Sequence, residues 1–493
     1  MKLRLRMGWA VAWREWRELI RSPQFFVVLC LVLILSPLSL LVGTRDYQAR
    51  LEEHQTLREE KQELLEDPRY RETFGFNTPF RQRELETLRV LRPPRALSVL
   101  CRGLDAHLPK YWDFSVAGIS PGPAPFTVDR LADTFHHFDF DYLVFTGFGL
   151  LAVLLGYGSV VGESRAGTLR SALSHPLPRW LFLLGKLAGG TGVLVISLLL
   201  SLAVVVSVGV MWELPLMQPQ ALARLPWLAA VWMLYLLCVY AGALMISSLA
   251  GLRRTALLAS LVGWLVLVFV MPSAATLIAR SLSPAASPHS VLLRVEKMQK
   301  ELADRMEPEL GRIYRQVTGL GEGVVRSSAE EPVEAELRAA FTPVAEDYLR
   351  QRGALAQDVY GEYQRRLQRQ RRIADGLLWF SPAALASKLS ADLAGTGDTT
   401  LASAYEAQVE AYQARLREAL FDDPPLVPFR NTTASAHLRF RQAPPYADLP
   451  RFQAPPSNPS IASGTLLTLI SVLAYWVAFM TAAFYSFSRR DVS

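Results

Sequence analysis

The chain has 493 residues, of which 51% are hydrophobic and 20% charged, with a net charge of +7 and a mean hydropathy of +0.18. That is too apolar for one soluble domain and too charged for a chain lying wholly in lipid. The positive balance could suit nucleic acid, but the basic residues gather beside long apolar runs, which points to a membrane and to no nucleic-acid partner.

In chain order, the leader 1–24 contains "WAVAWREWRELIRSP". Trp9, Trp13, Trp16 and Ile20 recur at helical spacing, with Arg14, Arg17, Glu18 and Arg21 on another face. Such a helix is expected to lie flat in the headgroup layer, as a plain anchor or as a helix that also meets a cytoplasmic partner. Ser22-Pro23 should break it. A first span follows at 25–42, behind a leader too long and basic for a cleaved signal peptide. Segment 43–139 opens as a charged, solvated helix and turns irregular beyond Pro68.

That segment ends in "HHFDFD", placing His136, His137, Asp139 and Asp141 at the mouth of a second span, 140–162. Imidazole and carboxylate together can bind Zn or Cu. The competing reading is polar capping of a span, because adjacent histidines diverge on a helix. Residues 163–179 are compact and charged, with a short amphipathic helix around Leu169 and Leu173 that His175-Pro176-Leu177-Pro178 ends. They read either as an interfacial hairpin or as a rigid element on which a soluble motor could push.

Further spans follow at 180–211, 226–250 and 256–279. Arg179 and Lys186 are expected to snorkel at the start of the third. Gly158 with Gly162 and Gly185 with Gly189 form small-xxx-small pairs, for packing within the chain or between subunits. Pro37 and Pro272 are expected to bend spans one and five. Segment 280–460 carries helical stripes, the clearest being Leu401, Tyr405, Val409, Tyr412, Leu416 and Leu420. Text rich in proline from Pro424 to Pro459 should be extended, and Asn431-Thr432-Thr433 matches a glycosylation sequon. The last span is 461–487, with a tail at 488–493.

Lys2, Arg4, Arg6, Arg14, Arg17 and Arg21 precede span one; Arg165, Arg170 and Arg179 follow span two. Arg253 and Arg254 follow span four, and Arg489 and Arg490 follow span six. Short loops rich in Lys and Arg stay cytoplasmic, so both termini are expected inside, with 43–139 and 280–460 facing outward and packed together. Cys101 is then the lone outward cysteine, with Cys30 and Cys238 in spans, which excludes an intramolecular disulfide framework outside. The fold class is mainly α: a polytopic membrane protein with six transmembrane helices, an interfacial N-terminal helix and a largely helical extracytoplasmic domain.

Catalytic signatures are missing. The sequence has no G-x-x-x-x-G-K-[ST] and no H-E-x-x-H. No central carboxylate or buried basic pair is legible in any span, which argues against an ion-coupled transporter. No cofactor is expected on this chain.

"GESRAGTLRSALSHPLPRWLFLLGK" resembles the E-x-x-x-G-T-L…S-x-P…R…GK stretch of ABC-2-type exporter permeases. "FSPAALASKLSADLAGTGDTT" and the helix after it resemble the outward domain of a subgroup with large insertions between spans 1–2 and 5–6. The resemblance implies a connecting helix before span one, a coupling helix between spans two and three, and a permease dimer of two copies or two related chains. It further implies separate ATPase subunits that carry ATP and Mg. Carried over, Glu163, Arg165, Gly167, Thr168, Leu169, Arg170, Ser174, Pro176 and Arg179 would form or frame the ATPase contact. Charge reversal at Glu163 is then expected to uncouple ATP hydrolysis without unfolding. The implied place is a cell membrane, the bacterial inner membrane. Two functions stay open: export, or ATP-driven mechanotransmission to an extracytoplasmic protein with nothing crossing. About 280 outward residues, of the order of a whole domain, keep the second alive.

Overall fold

The computed structural model describes residues 2–66, 88–105, 108–115, 118–121, 138–174, 178–319, 331–398, 401, 403–421, 450–455 and 463–489. The fold is mainly α, with six helices among the described residues long and apolar enough to cross a membrane. His136, His137, Pro176, the sequon at Asn431 and nearly all of the proline-rich stretch lie outside the described residues.

Helix α1 (Lys2–Ile20) ends where Ser22 turns the chain. The Ser22 hydroxyl accepts the Phe25 amide at 3.3 Å and Pro23 opens α2, so one serine–proline pair stops one helix and starts the next. Helix α2 (Pro23–Glu66) runs 44 residues without a break, through the first span and the charged stretch beyond it. At 1.5 Å per residue that is about 66 Å, roughly twice a hydrocarbon core. Pro37 lies inside it. The neighbouring Ser36 hydroxyl donates to the Val32 carbonyl at 2.7 Å and shares a hydrogen bond with Ser201.

Beyond α2 stands a small antiparallel sheet, β1 (Leu88–Leu91), β2 (Tyr111–Ser115) and β3 (Gly118–Pro121), in that order. Leu88 pairs with Phe114 and Val90 with Trp112. The sequence read as irregular here, because "YWDFS" alternates over too few residues to declare a strand. The inward face, Val90, Trp112 and Phe114, packs on α11 (Ser403–Phe421). Trp112 stacks on Tyr405 with centroids 5.4 Å apart, and Phe114 meets Tyr412 edge-on at 4.8 Å. The stripe from Leu401 to Tyr412 is therefore the core of the layer formed by the two segments together.

Further helices are α3 (Phe140–Arg165), α4 (Thr168–Leu173), α5 (Arg179–Met211), α6 (Leu225–Leu249) and α7 (Arg253–Leu282). They are followed by α8 (Pro288–Thr318), α9 (Glu331–Leu378), α10 (Pro382–Ala394) and, after α11, α12 (Ser463–Arg489). The core is built around α6, whose Trp232, Tyr235 and Tyr240 are fully enclosed. A π-turn at Val266–Val270 directly precedes Pro272 in α7, loosening the ladder where proline withdraws a donor. Helices α8 and α9 pair as a long hairpin, with Leu302 and Met306 against Val344.

Segment 280–460 does not all stand apart from the spans. Helix α10 is wedged among α6, α7 and α12, with Pro382 through Ser387 and Leu389 through Asp392 buried. The Ser381 hydroxyl donates to the Leu267 carbonyl at 2.5 Å, beside the π-turn. Gly395, at φ 76°, ends α10 in a left-handed conformation that a side chain resists. The next residue, Thr396, bonds the Cys101 carbonyl at 3.0 Å, while its own carbonyl accepts the Leu104 amide at 2.8 Å. The "LAGT" signature is thus a helix stop followed by a clasp between the two segments.

Candidate functional site

At the end of the bundle that carries Arg253, Arg254 and Arg489, α1 runs along the first turns of α5 instead of lying free of the bundle. Gly8 abuts Leu181; Gly185 faces Gly8 and Val11; Gly189 faces Ala12 and Glu15. The Gly185/Gly189 pair therefore serves packing within the chain, against α1. Gly158 and Gly162 form no such groove: Gly158 faces Arg253, and Gly162 has nothing within 4 Å of a built Cβ. Trp9 and Trp13 stay exposed, Trp16 packs inward and stacks on Trp13 at 4.8 Å, and Arg17 lies 5.2 Å over the Trp13 ring. Arg14 bonds Glu18 at 2.8 Å on the exposed side.

This packing brings together three charges from three elements. The Lys186 ammonium, 3% exposed, is paired with Glu15 of α1 and Glu163 at the end of α3. One expectation falls here: Lys186 does not snorkel, and Glu163, at 11% exposure, pairs with it. A carboxylate pair with one ammonium is stable in a dry site only because each side compensates the other. Burial pushes the Glu15 carboxyl above its ordinary range, with Lys186 pulling it back. Glu163 Oε2 remains buried without a hydrogen-bond donor. Oxygens of Glu15, Glu18 and Glu163 lie within 4.8 Å of one another, a spacing that could hold a metal ion, yet the Lys186 ammonium already occupies two of the three. Sequence reasoning missed this cluster. Its signal was a lysine inside "LLGKLAGG" opposite the leader face that carries Gly8, Ala12 and Glu15.

The other expected contact residues divide cleanly. Leu169 is buried with Val160, Phe182, Leu244 and Phe487. The Arg179 guanidinium donates to the Ser488 carbonyl at 2.6 Å and the Phe487 carbonyl at 3.2 Å, closing the end of α12. The Arg165 Nε–H donates to the Gly251 carbonyl at 2.9 Å, while the Ser247 hydroxyl accepts the Val160 and Val161 amides at 3.1 and 3.2 Å. Thr168, half-buried, bonds the Glu163 carbonyl at 3.3 Å. Gly167, Arg170 and Ser174 are exposed. Gly167 has φ 73° and opens α4, with nothing within 4 Å of where a Cβ would sit. The result is a small exposed knob bolted to α5, α6 and α12 and, through Lys186, to α1.

At the opposite end, Asp139 caps α3, accepting the Tyr142 amide at 2.7 Å and the Arg102 amide at 2.9 Å. Burial raises its pKa to about 6, against those two amides. Asp141 is buried and accepts from Trp232 Nε1 and the Ser390 hydroxyl at 2.7 Å each, and from the Ser387 hydroxyl at 3.5 Å. Both carboxylates are thus engaged by protein donors in the manner of the capping reading, and Asp141 ties α3 to α6 and α10.

The family model described as ABC-2 family transporter protein matches residues 9–492. The chain belongs to that family: it is a multi-pass transporter membrane subunit, with an ATPase subunit implied by the family. No curated protein matches the chain.

Proposed function

We propose that the chain is the membrane-spanning permease of an ABC exporter, driven by a separate ATP-binding subunit that grips the knob around Gly167, Arg170 and Ser174. What supports this most is the anchoring of that knob. A displacement there is passed on to α5, α6 and α12 by the packing of Leu169 on Phe182, Leu244 and Phe487, and to α1 through the Glu163–Lys186–Glu15 ion pairs, which a loose hairpin could not do. ATP and Mg would sit on the partner, since the sequence has no P-loop of its own. Both termini and the knob would be cytoplasmic, in a bacterial inner membrane, and a second permease copy or a related chain would complete the dimer.

Copurification from native membranes in mild detergent, with mass spectrometry, is the direct test. A stoichiometric ATPase with a P-loop supports the reading, and an intact, monodisperse chain with no ATPase beside it refutes it. Arg170→Glu, on an exposed side chain, should abolish stimulation of that ATPase while leaving the permease folded.

A second reading, mechanotransmission to an extracytoplasmic protein, is favoured by the α8–α9 hairpin. Its helices of 31 and 48 residues reach about 46 and 72 Å at 1.5 Å per residue, longer than a pore requires. Reconstituted vesicles that hydrolyse ATP but move no lipid or solute would favour it over export.

A further inference from the structure

Helices α7 and α9 run antiparallel, and two hydrogen bonds fix their register. The Ser381 hydroxyl meets the Leu267 carbonyl at 2.5 Å, and the Ser283 hydroxyl meets the Arg366 carbonyl at 3.3 Å. Helix α7 starts at Arg253, at one headgroup layer, so it gives a depth scale for α9. Leu267 is about 21 Å along it and Ser283 about 45 Å, at 1.5 Å per residue. A hydrocarbon core is about 30 Å thick and a whole bilayer about 40–45 Å. Arg366 is therefore level with the far edge of the bilayer, and Ser381 lies inside the core. The last turns of α9 descend into the far leaflet, and α10 climbs back out.

The outward face of those turns has a matching chemistry. Arg365, Arg369, Arg372, Gly376 and Trp379 are spaced four, three, four and three residues apart, and all are exposed. They form one stripe on one side of α9. The opposite side is buried, with Leu378 packed on Ala275 of α7 and Ala384 of α10. Among the described residues, neither Arg369 nor Arg372 pairs with a carboxylate, whereas Arg366 bonds Glu362 and Arg371 lies near Asp398 and Glu406. Going down the stripe, arginines stand at the headgroup level and Trp379, with Phe380 beside it, stands at the acyl level. A basic side chain above an aromatic one is the arrangement that suits an interface between phosphate and hydrocarbon. Guanidinium groups match phosphate oxygens in pairs.

We propose that Arg365, Arg369 and Arg372, with Trp379 beneath them, form a binding site for the phosphate of an anionic phospholipid in the far leaflet. The lipid's headgroup would lie across the arginines and its chains beside Trp379 and Phe380. The wedge α10, which follows directly, would then be held against the bundle by a lipid as well as by protein.

The test uses the full chain in nanodiscs of phosphatidylcholine mixed with phosphatidylglycerol, with one lipid at a time carrying brominated acyl chains. Bromine quenches nearby tryptophan, and the part of the quenching lost in Trp379→Phe reports the lipid beside that residue. The expected result is stronger quenching by brominated phosphatidylglycerol than its bulk fraction accounts for. Arg365→Gln, Arg369→Gln and Arg372→Gln should each lower the preference about five-fold, and the triple variant on the order of a hundred-fold, from the attraction of one basic side chain to an anionic surface. The triple lysine variant should keep most of it, which separates a charge effect from a folding defect.

Three results would overturn the proposal. Equal quenching by the two lipids would remove the anionic preference. Absence of Trp379 quenching by either lipid would take the end of α9 out of the bilayer. Binding of inorganic phosphate that the arginine variants lose, with no lipid preference present, would mean a site for free phosphate and not for a lipid.

Discussion

At one end of the bundle Glu15 and Glu163 share the Lys186 ammonium; at the other, Asp141 is held by the neutral donors Trp232, Ser387 and Ser390. Both arrangements join elements far apart in the chain, but they fail differently. Removing one charge from the triad strands the others in a dry site, whereas a neutral donor shell tolerates a neutral acceptor of the same shape. The first is therefore a rigid tie that depends on charge, and the second is a tie that depends on shape and hydrogen bonding.

The largest expected effect comes from Lys186→Met, which leaves two carboxylates buried side by side. A loss of about 3–5 kcal/mol is expected for breaking a buried pair, read as a lower melting temperature in detergent. Adding Glu15→Gln to it should restore part of that loss. An unchanged melting temperature in the single variant would show that water reaches the triad and that the contrast is unfounded. Glu163→Gln is the milder probe of the same site, and Glu163→Lys would set two ammonium groups together, so it tests the fold before it tests coupling.

Next in size is Asp141→Ala, which orphans the Trp232 and Ser390 donors at a cost of about 1–3 kcal/mol. Asp141→Asn, whose carbonyl can still accept both, should stay close to the parent. If the two variants lose equal stability, charge and not hydrogen bonding holds α10, and the distinction drawn above collapses.

Gly167→Ala follows. With nothing near its Cβ, the cost is backbone alone, about 1–2 kcal/mol for a left-handed residue. The shift should be local to the knob, visible as faster amide exchange in α4 with little change in global melting. Protection unchanged across α4 would mean that the knob does not depend on that turn.

The smallest effects are those of pH on the layer beyond the spans. Burial alone would raise the Asp105 carboxyl, but the Arg92 and Arg50 guanidiniums outweigh it and hold it below its ordinary value. Its contribution is complete above the ordinary carboxylate range and is lost as pH falls through the lowered folded-state value. Asp139 runs the other way, since its pKa is raised to about 6. Its contribution is complete at acid pH and is lost as pH climbs from the ordinary carboxylate value to about 6. Amide protection factors at 92–105 should therefore fall at the acid extreme, and those at 140–143 should fall on going from acid to neutral pH. Parallel changes in both stretches would indicate global unfolding instead.

How much was legible in advance follows from the range of each interaction. Spans show in the sequence because a bilayer demands one local property, apolarity sustained over about 20 residues, and the helix break at Ser22-Pro23 shows because capping is local too. The exposed turn at Gly167 lies within a recognisable stretch for the same reason. The strands did not show, because four or five residues cannot establish a period. The stripe from Leu401 to Tyr412 announced a buried face without saying that Trp112 and Phe114 would cover it.

What the sequence by itself determined is thus the class: a mainly α chain of six candidate spans with basic short loops and no P-loop. What only the tertiary structure decided is which charges are hidden. Lys186 read as a snorkelling end residue because nothing local distinguishes it from one. It is buried because Gly185 and Gly189 let α1 approach and bring Glu15 within reach. Likewise α10 read as part of an outward domain, and its place among α6, α7 and α12 rests on hydrogen bonds to Asp141 and Leu267, residues more than a hundred positions away. Interactions between residues so distant in sequence leave no periodic trace in it, and only the closed bundle brings them together.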